Sequence, residues 1–159
     1  MKKRKEFNKK KCIRICMFLL IILWAYMVFC LSNQNGTESS GLSRKIVEIF
    51  TKEEEVIEKV EPYVRKLAHF SEYGLGGVLF ISLFSTYDYS DRRKITTSVL
   101  LGMWYAITDE AHQLLVSGRN GSLFDVYIDS LGFATGVCSM LILIKLVEIL
   151  KKRKKEEKK

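Results

Sequence analysis

Residues 15–31, ICMFLLIILWAYMVFCL, are 17 in a row without a charged side chain. That is near the short limit for a helix crossing a bilayer, whose hydrocarbon core of about 30 Å needs about 20 residues. Three more apolar blocks follow, at 67–87, 95–116 and 122–150, and strongly polar connections separate them. The pattern suits a small helical membrane protein better than a soluble domain. It predicts an all-α, polytopic membrane protein of one domain, with four transmembrane helices at 15–31, 67–87, 95–116 and 122–150. A small-residue cleavage pattern after the first block is missing, so it reads as an uncleaved helix rather than a signal peptide.

Residues 32–66 form the outer loop in this reading. Ile46, Val47, Ile49 and Phe50, then Val56, Ile57, Val60 and Val64, recur at roughly helical spacing. They predict two short amphipathic helices on the membrane surface, the second broken by Pro62. Thr51 with Glu54 fits a capping box.

The net charge of +8 comes mostly from basic, unstructured-looking tails at 1–11 and 151–159. Each abuts an apolar run, so they read as cytoplasmic flanks that favour anionic lipid heads. No nucleic-acid partner is expected, because no recognition fold accompanies the charge. Arg92, Arg93 and Lys94 between the second and third spans agree with this orientation. The cations of the outer loop oppose it, but the tails are denser. Four spans then place both termini inside. Cys12, Cys16, Cys30 and Cys138 form no CxxC pair and no metal-ligand spacing, and read as small apolar residues in helices.

With that topology the polar residues of three segments meet near the outer surface. The second span enters with Arg65, Lys66, His69, Glu72 and Tyr73, and the third leaves with Asp109, Glu110, His112 and Gln113. The fourth enters with Arg119, Ser122, Asp125 and Asp129. Arg65, His69, Glu72 and Gly76 share a helix face, as do Asp125, Asp129, Gly132 and Gly136. Charges inside apolar segments cost roughly 2.5 to 3.5 kcal/mol each on insertion scales, so their clustering marks a site. The expected pocket comprises Arg65, Lys66, His69, Glu72, Tyr73, Asp109, Glu110, Gln113, Arg119, Ser122, Asp125 and Asp129. Gly132 and Gly136 would let another helix approach closely beneath it.

Several readings of this cluster stay open. An interhelical ion network would hold the bundle in register. A pocket could bind a polar head group or cell-surface molecule. Hydrolysis or transfer would use His69, Asp109 or Glu110 as base, with Arg119 stabilising an anion. A divalent metal on His69, Glu72, Asp109 or Glu110 is weighed and set aside, since no HxxxH or HExxH occurs; neither metal nor cofactor is expected. Ser122 is better explained as a helix cap than as a nucleophile.

At these residues the chain resembles the VanZ-like family of bacterial membrane proteins. The matching stretches are RKLAHFSEYGLGG at 65–77, DEAHQ at 109–113 and SGRNGSLFDVYIDSLG at 117–132. LSNQ after the first span and the serines near 39–43 also look like the family's outer loop, so the likeness covers nearly the whole chain. The family's motif residues fall on Lys66, His69, Tyr73, Asp109, Glu110, Gln113, Gly118, Arg119, Ser122, Asp125 and Gly132. Ser117 stands where many relatives have proline, and Asp129 where asparagine is common. The resemblance implies a multi-pass protein of the bacterial cell membrane. It also implies an envelope role, the namesake being linked to resistance to the glycopeptide teicoplanin. The leading expectation is binding of an envelope lipid, a cell-wall precursor or a glycopeptide. The alternatives are a hydrolase or transferase acting on a lipid-linked substrate at the outer leaflet, and a structural or assembly protein.

Overall fold

A computed structural model describes residues 2–119 and 121–157, without the side chains of residues 2–8. Met1, Asn120 of the expected turn, and Lys158 and Lys159 of the expected tail lie outside the described residues. Five helices make up the fold: α1 (Lys2–Ser32), α2 (Gly36–Val47), α3 (Glu54–Ser85), α4 (Asp91–Gln113) and α5 (Leu123–Glu156). No strand occurs among the described residues.

Three helical stretches are long and apolar enough to cross a membrane: Lys9–Ser32, Glu54–Ser85 and Leu123–Glu156. These contain, to within two residues at one end, three of the four expected spans, 15–31, 67–87 and 122–150. The other, α4, has 23 residues and therefore the length, but it begins with Asp91, Arg92, Arg93 and Lys94 and ends with Asp109, Glu110, His112 and Gln113. The apolar side chains turn outward. On α1, Phe18, Leu19, Ile22, Leu23 and Tyr26 are exposed, while Trp24 and Val28, one turn apart, are buried. Such a surface fits lipid better than water.

Two local expectations are corrected. Pro62 does not break a helix: α3 passes straight through it. At 1.5 Å per residue α3 is about 48 Å long, more than the roughly 30 Å of hydrocarbon. The second amphipathic segment is thus the first turns of α3 itself, and Ile57 there is buried. Packing on both sides of Pro62 offsets the roughly 3 kcal/mol that an interior proline costs. The capping box also sits elsewhere. Asn35 Oδ1 accepts the Glu38 N–H at 2.9 Å and Glu38 Oε2 accepts the Asn35 N–H at 3.3 Å, which starts α2. Thr51 instead accepts from the Glu53 N–H, and Glu54 binds Arg44. The basic stretch at 1–11, expected to lack structure, is helical from Lys2. Nucleation is the costly step, and the apolar segment behind it supplies the nucleus.

The tightest packing joins α3 to α5 through glycine. A Cβ on Gly136 would collide with the Gly74 carbonyl, one on Gly132 with the Phe70 carbonyl, and one on Gly77 with the Phe133 carbonyl. Backbone therefore lies directly on backbone, the close approach that small residues permit. Beside this contact Trp24 inserts among Tyr73, Phe80, Tyr105 and Phe133, with ring centroids 5.1 to 6.2 Å away. Its indole N–H donates to the Glu72 carbonyl at 2.8 Å, and the Tyr105 hydroxyl donates to the Ala25 carbonyl at 2.7 Å. These contacts fix α1, α3, α4 and α5 around one aromatic core.

Candidate functional site

Above that core, α3, α4 and α5 bring their polar ends together, and the end of α1 with the start of α2 closes the ring. The turn after α4 needs Gly118, whose φ of 73° is a left-handed conformation that other residues rarely adopt. Its backbone meets Gly36, and the Gly36 N–H donates to the Ser117 carbonyl at 3.4 Å. The turn thereby directs Arg119 inward.

A cavity of about 190 Å³ results, lined by Gly36, Arg65, Lys66, His69, Gln113, Gly118, Arg119 and Asp125. A smaller one of about 40 Å³ adjoins it, sharing Arg65, His69 and Arg119 and reaching Glu72, Leu31 and Gln34. Lys66 pairs with Asp125 across α3 and α5. Arg65 donates to the Ser40 hydroxyl at 2.9 Å and lies 3.8 Å from Glu61. Arg119 is the most committed cation. It donates to the Gln34 carbonyl at 3.1 Å, the Leu31 carbonyl at 3.2 Å and Gln113 Oε1 at 3.1 Å. Leu31 and Gln34 stand at the C-terminus of α1, whose carbonyls lack helical partners and carry the negative end of the helix dipole. Burial, and then the charge of Arg65, pull the Arg119 guanidinium below its usual value.

The remaining carboxylates have different positions. Gln113, one turn beyond Asp109, donates to its carboxylate at 3.3 Å, which makes a chain Asp109–Gln113–Arg119. Glu110 Oε2 accepts the Ser122 backbone N–H at 2.8 Å, and the Ser122 hydroxyl accepts from Phe124 N–H at 3.1 Å. Glu110 and Ser122 together cap α5. They also border an apolar groove of about 310 Å³ between α4 and α5, outside the polar cavity. Asp129 is fully buried, and neither of its oxygens has a hydrogen-bond partner among the described residues. His69 Nδ1 lies 3.9 Å away and is also unpartnered, as is the buried Tyr73 hydroxyl.

Of the twelve residues expected in one pocket, Arg65, Lys66, His69, Gln113, Arg119 and Asp125 line the main cavity. Glu72 reaches only the smaller one. Asp109 and Asp129 lie behind the walls, Glu110 and Ser122 serve the α5 cap, and Tyr73 belongs to the aromatic core. Sequence reasoning missed the wall made by Leu31, Gln34 and Gly36. The polar SNQNG break was its signal, but nothing local says which side chain meets those carbonyls. Among the described residues, no group of three His, Cys, Asp or Glu is placed to hold a metal ion.

A family model described as VanZ/LLP1 matches residues 17–145, a span that holds every residue lining the polar cavity. No curated protein matches the chain, and no solved structure matches it.

Proposed function

We propose that this chain, which belongs to the VanZ-like family, is a bacterial cell-membrane protein that binds an anionic head group at the outer leaflet. The head group belongs to an envelope lipid or a lipid-linked cell-wall precursor. The observation that carries this reading is the cavity lining: Arg65, Lys66 and Arg119 face the same 190 Å³ together with His69. Cations turned into a confined space favour an anion and bind phosphate or carboxylate through charge-assisted hydrogen bonds. The volume supports a small ligand. Drug-sized sites run from about 300 to 1,000 Å³, and about 190 Å³ suits a head group better than a whole glycopeptide. Glycopeptide resistance, the trait of the family's namesake, would then follow from handling of the envelope molecule.

In the proposed topology α4 also crosses the membrane, as the third of four spans, and both termini are cytoplasmic. The contacts at the opposite end support it. Arg14 of α1 donates to Thr86 beyond α3, and Lys145 of α5 pairs with Asp91 of α4 at 2.9 Å. The basic flanks of α1, α4 and α5 thus gather at one end, away from the cavity, as the positive-inside tendency requires. In a background with the four cysteines replaced, Ser117→Cys is expected to react with a membrane-impermeant thiol reagent on intact cells, and Ser90→Cys to react only after lysis. The opposite pattern overturns the orientation.

Lipid analysis tests the binding. Wild-type protein purified in mild detergent is expected to retain an anionic lipid that Lys66→Gln and Arg65→Gln lose at equal folded yield. Equal retention by all three proteins removes the reading. A structural role has its own support at Arg119, whose guanidinium already holds the end of α1. For that reason Lys66 and Arg65, not Arg119, are the discriminating positions.

A further inference from the structure

We propose that His69, with Asp129 behind it, is a proton-transfer group of the cavity, and that its substrate is a phosphate ester or diphosphate carried by a lipid. The proposal rests on the head-group binding described above and deepens it.

Elimination leads to this pair. Asp125 is paired with Lys66, Glu110 accepts the Ser122 N–H, and Asp109 accepts from Gln113. Each of these carboxylates has a partner within the fold, and Glu72 keeps partial exposure beside the smaller cavity. Asp129 has none on either oxygen, although it is fully buried. Leaving such a group unpartnered costs about 1 to 3 kcal/mol or more, and a fold retains that cost where the group has another use. The neighbour of Asp129 is His69, with Nδ1 3.9 Å from the carboxylate and buried. The His69 side chain nevertheless keeps 20% exposure and lines the cavity. The buried Nδ1 edge therefore faces Asp129, and the Nε2 edge is left for the cavity. A carboxylate behind an imidazole selects the tautomer with the proton on its own side and stabilises the imidazolium once formed. At 3.9 Å the pair is longer than a hydrogen bond, and such contacts commonly tighten when substrate binds.

The cavity supplies the other half. Its lining holds three cations, Arg65, Lys66 and Arg119, against one carboxylate, Asp125. Arg65 also lies 3.8 Å from Glu61, so the three cations suit phosphoryl oxygens as charged donors rather than by a counted excess of charge. In the reaction, His69 Nε2 takes a proton from water as the water oxygen bonds to phosphorus. The bond from phosphorus to the leaving alcohol or phosphate oxygen breaks, and that oxygen takes the proton from His69. One water is consumed and no other reactant is needed. The cations stabilise the charge on the phosphoryl oxygens.

The experiment uses the full-length protein in mixed micelles with phosphatidic acid, with a polyprenyl diphosphate, or with water-soluble p-nitrophenyl phosphate. Retention of each lipid probe and release of inorganic phosphate are read separately. Wild type is expected to retain and hydrolyse at least one lipid probe and to act far less on the soluble ester. His69→Gln is expected to lose at least about a hundredfold in kcat while retaining the probe. Asp129→Asn, a positioning change, is expected to lower kcat about tenfold with KM unchanged and to move the pH of half-maximal activity. Retention without release by wild type overturns the proton-transfer role and leaves the binding reading standing. Neither retention nor release overturns both. Release undiminished in His69→Gln, or faster on the soluble ester than on the lipids, overturns the assignment of His69 or of the lipid. If Asp129→Asn does not fold, His69→Gln alone decides.

Discussion

At each end of the bundle an arginine holds the C-terminal carbonyls of a helix. Arg14 donates to Thr86, the cap of α3, through its hydroxyl at 3.1 Å and its carbonyl at 2.8 Å. Arg119 does the same for the end of α1. Around Arg14 the charges lie in the open. The Lys10–Asp88 side chains are 56% and 97% exposed, and Arg14 rests on the Tyr87 ring at 3.9 Å. Around Arg119, Asp109, Glu110, Gln113 and Asp129 are nearly or wholly buried. The open end shows that joining helices of this bundle requires no buried charge. Ion pairs in the interior seldom add net stability over apolar packing. At the other end only Gln113 of the buried set faces the cavity; Asp109 and Glu110 are tied within the fold, and Asp129 has no hydrogen-bond partner among the described residues.

Substitutions can break this contrast, beginning with the largest effect. Arg119→Ala removes three hydrogen bonds from a charged donor and strands the Gln34 carbonyl, while the Leu31 carbonyl keeps the Gln34 N–H at 3.3 Å. Loss of about 3 kcal/mol is expected, read by thermal unfolding in detergent. A change as small as that at Arg14 would show that Arg119 is no more structural than its counterpart. Glu110→Ala leaves the Ser122 N–H without its charged acceptor and is expected to cost about 2 kcal/mol. Glu110→Gln, which keeps an acceptor, should recover much of that. Arg14→Ala is expected to cost about 1 kcal/mol or less, since its two bonds are only partly buried and its other contact is the Tyr87 ring. A cost equal to that of Arg119→Ala would erase the distinction between the ends.

Much of this could be read from the chain. Uncharged blocks reveal helices because backbone in lipid must satisfy its own hydrogen bonds. The Gly132 and Gly136 spacing marked a close contact that the structure places against α3. Helical phase put His69, Asp125 and Asp129 on inward faces. Pairing was harder to read. Glu110 looked like a pocket acid because its partner, the Ser122 N–H, is a backbone group twelve positions away. Tyr73 looked polar in sequence, but its ring fills the core beside Trp24. Pro62 misled because a local rule was outweighed by packing on both sides of it. The smaller set that lines the cavity depends on how four segments meet, and no local pattern encodes that.

The glycine contact between α3 and α5 has a further consequence, for traffic. Where carbonyls of one helix rest against glycines of the next, no gap remains for an acyl chain. That seam is closed to lipid along its glycine-lined length. On the proposed reading, a head group arriving from the bilayer would reach Lys66 and His69 by another route: past α2, or around the Gly118 turn.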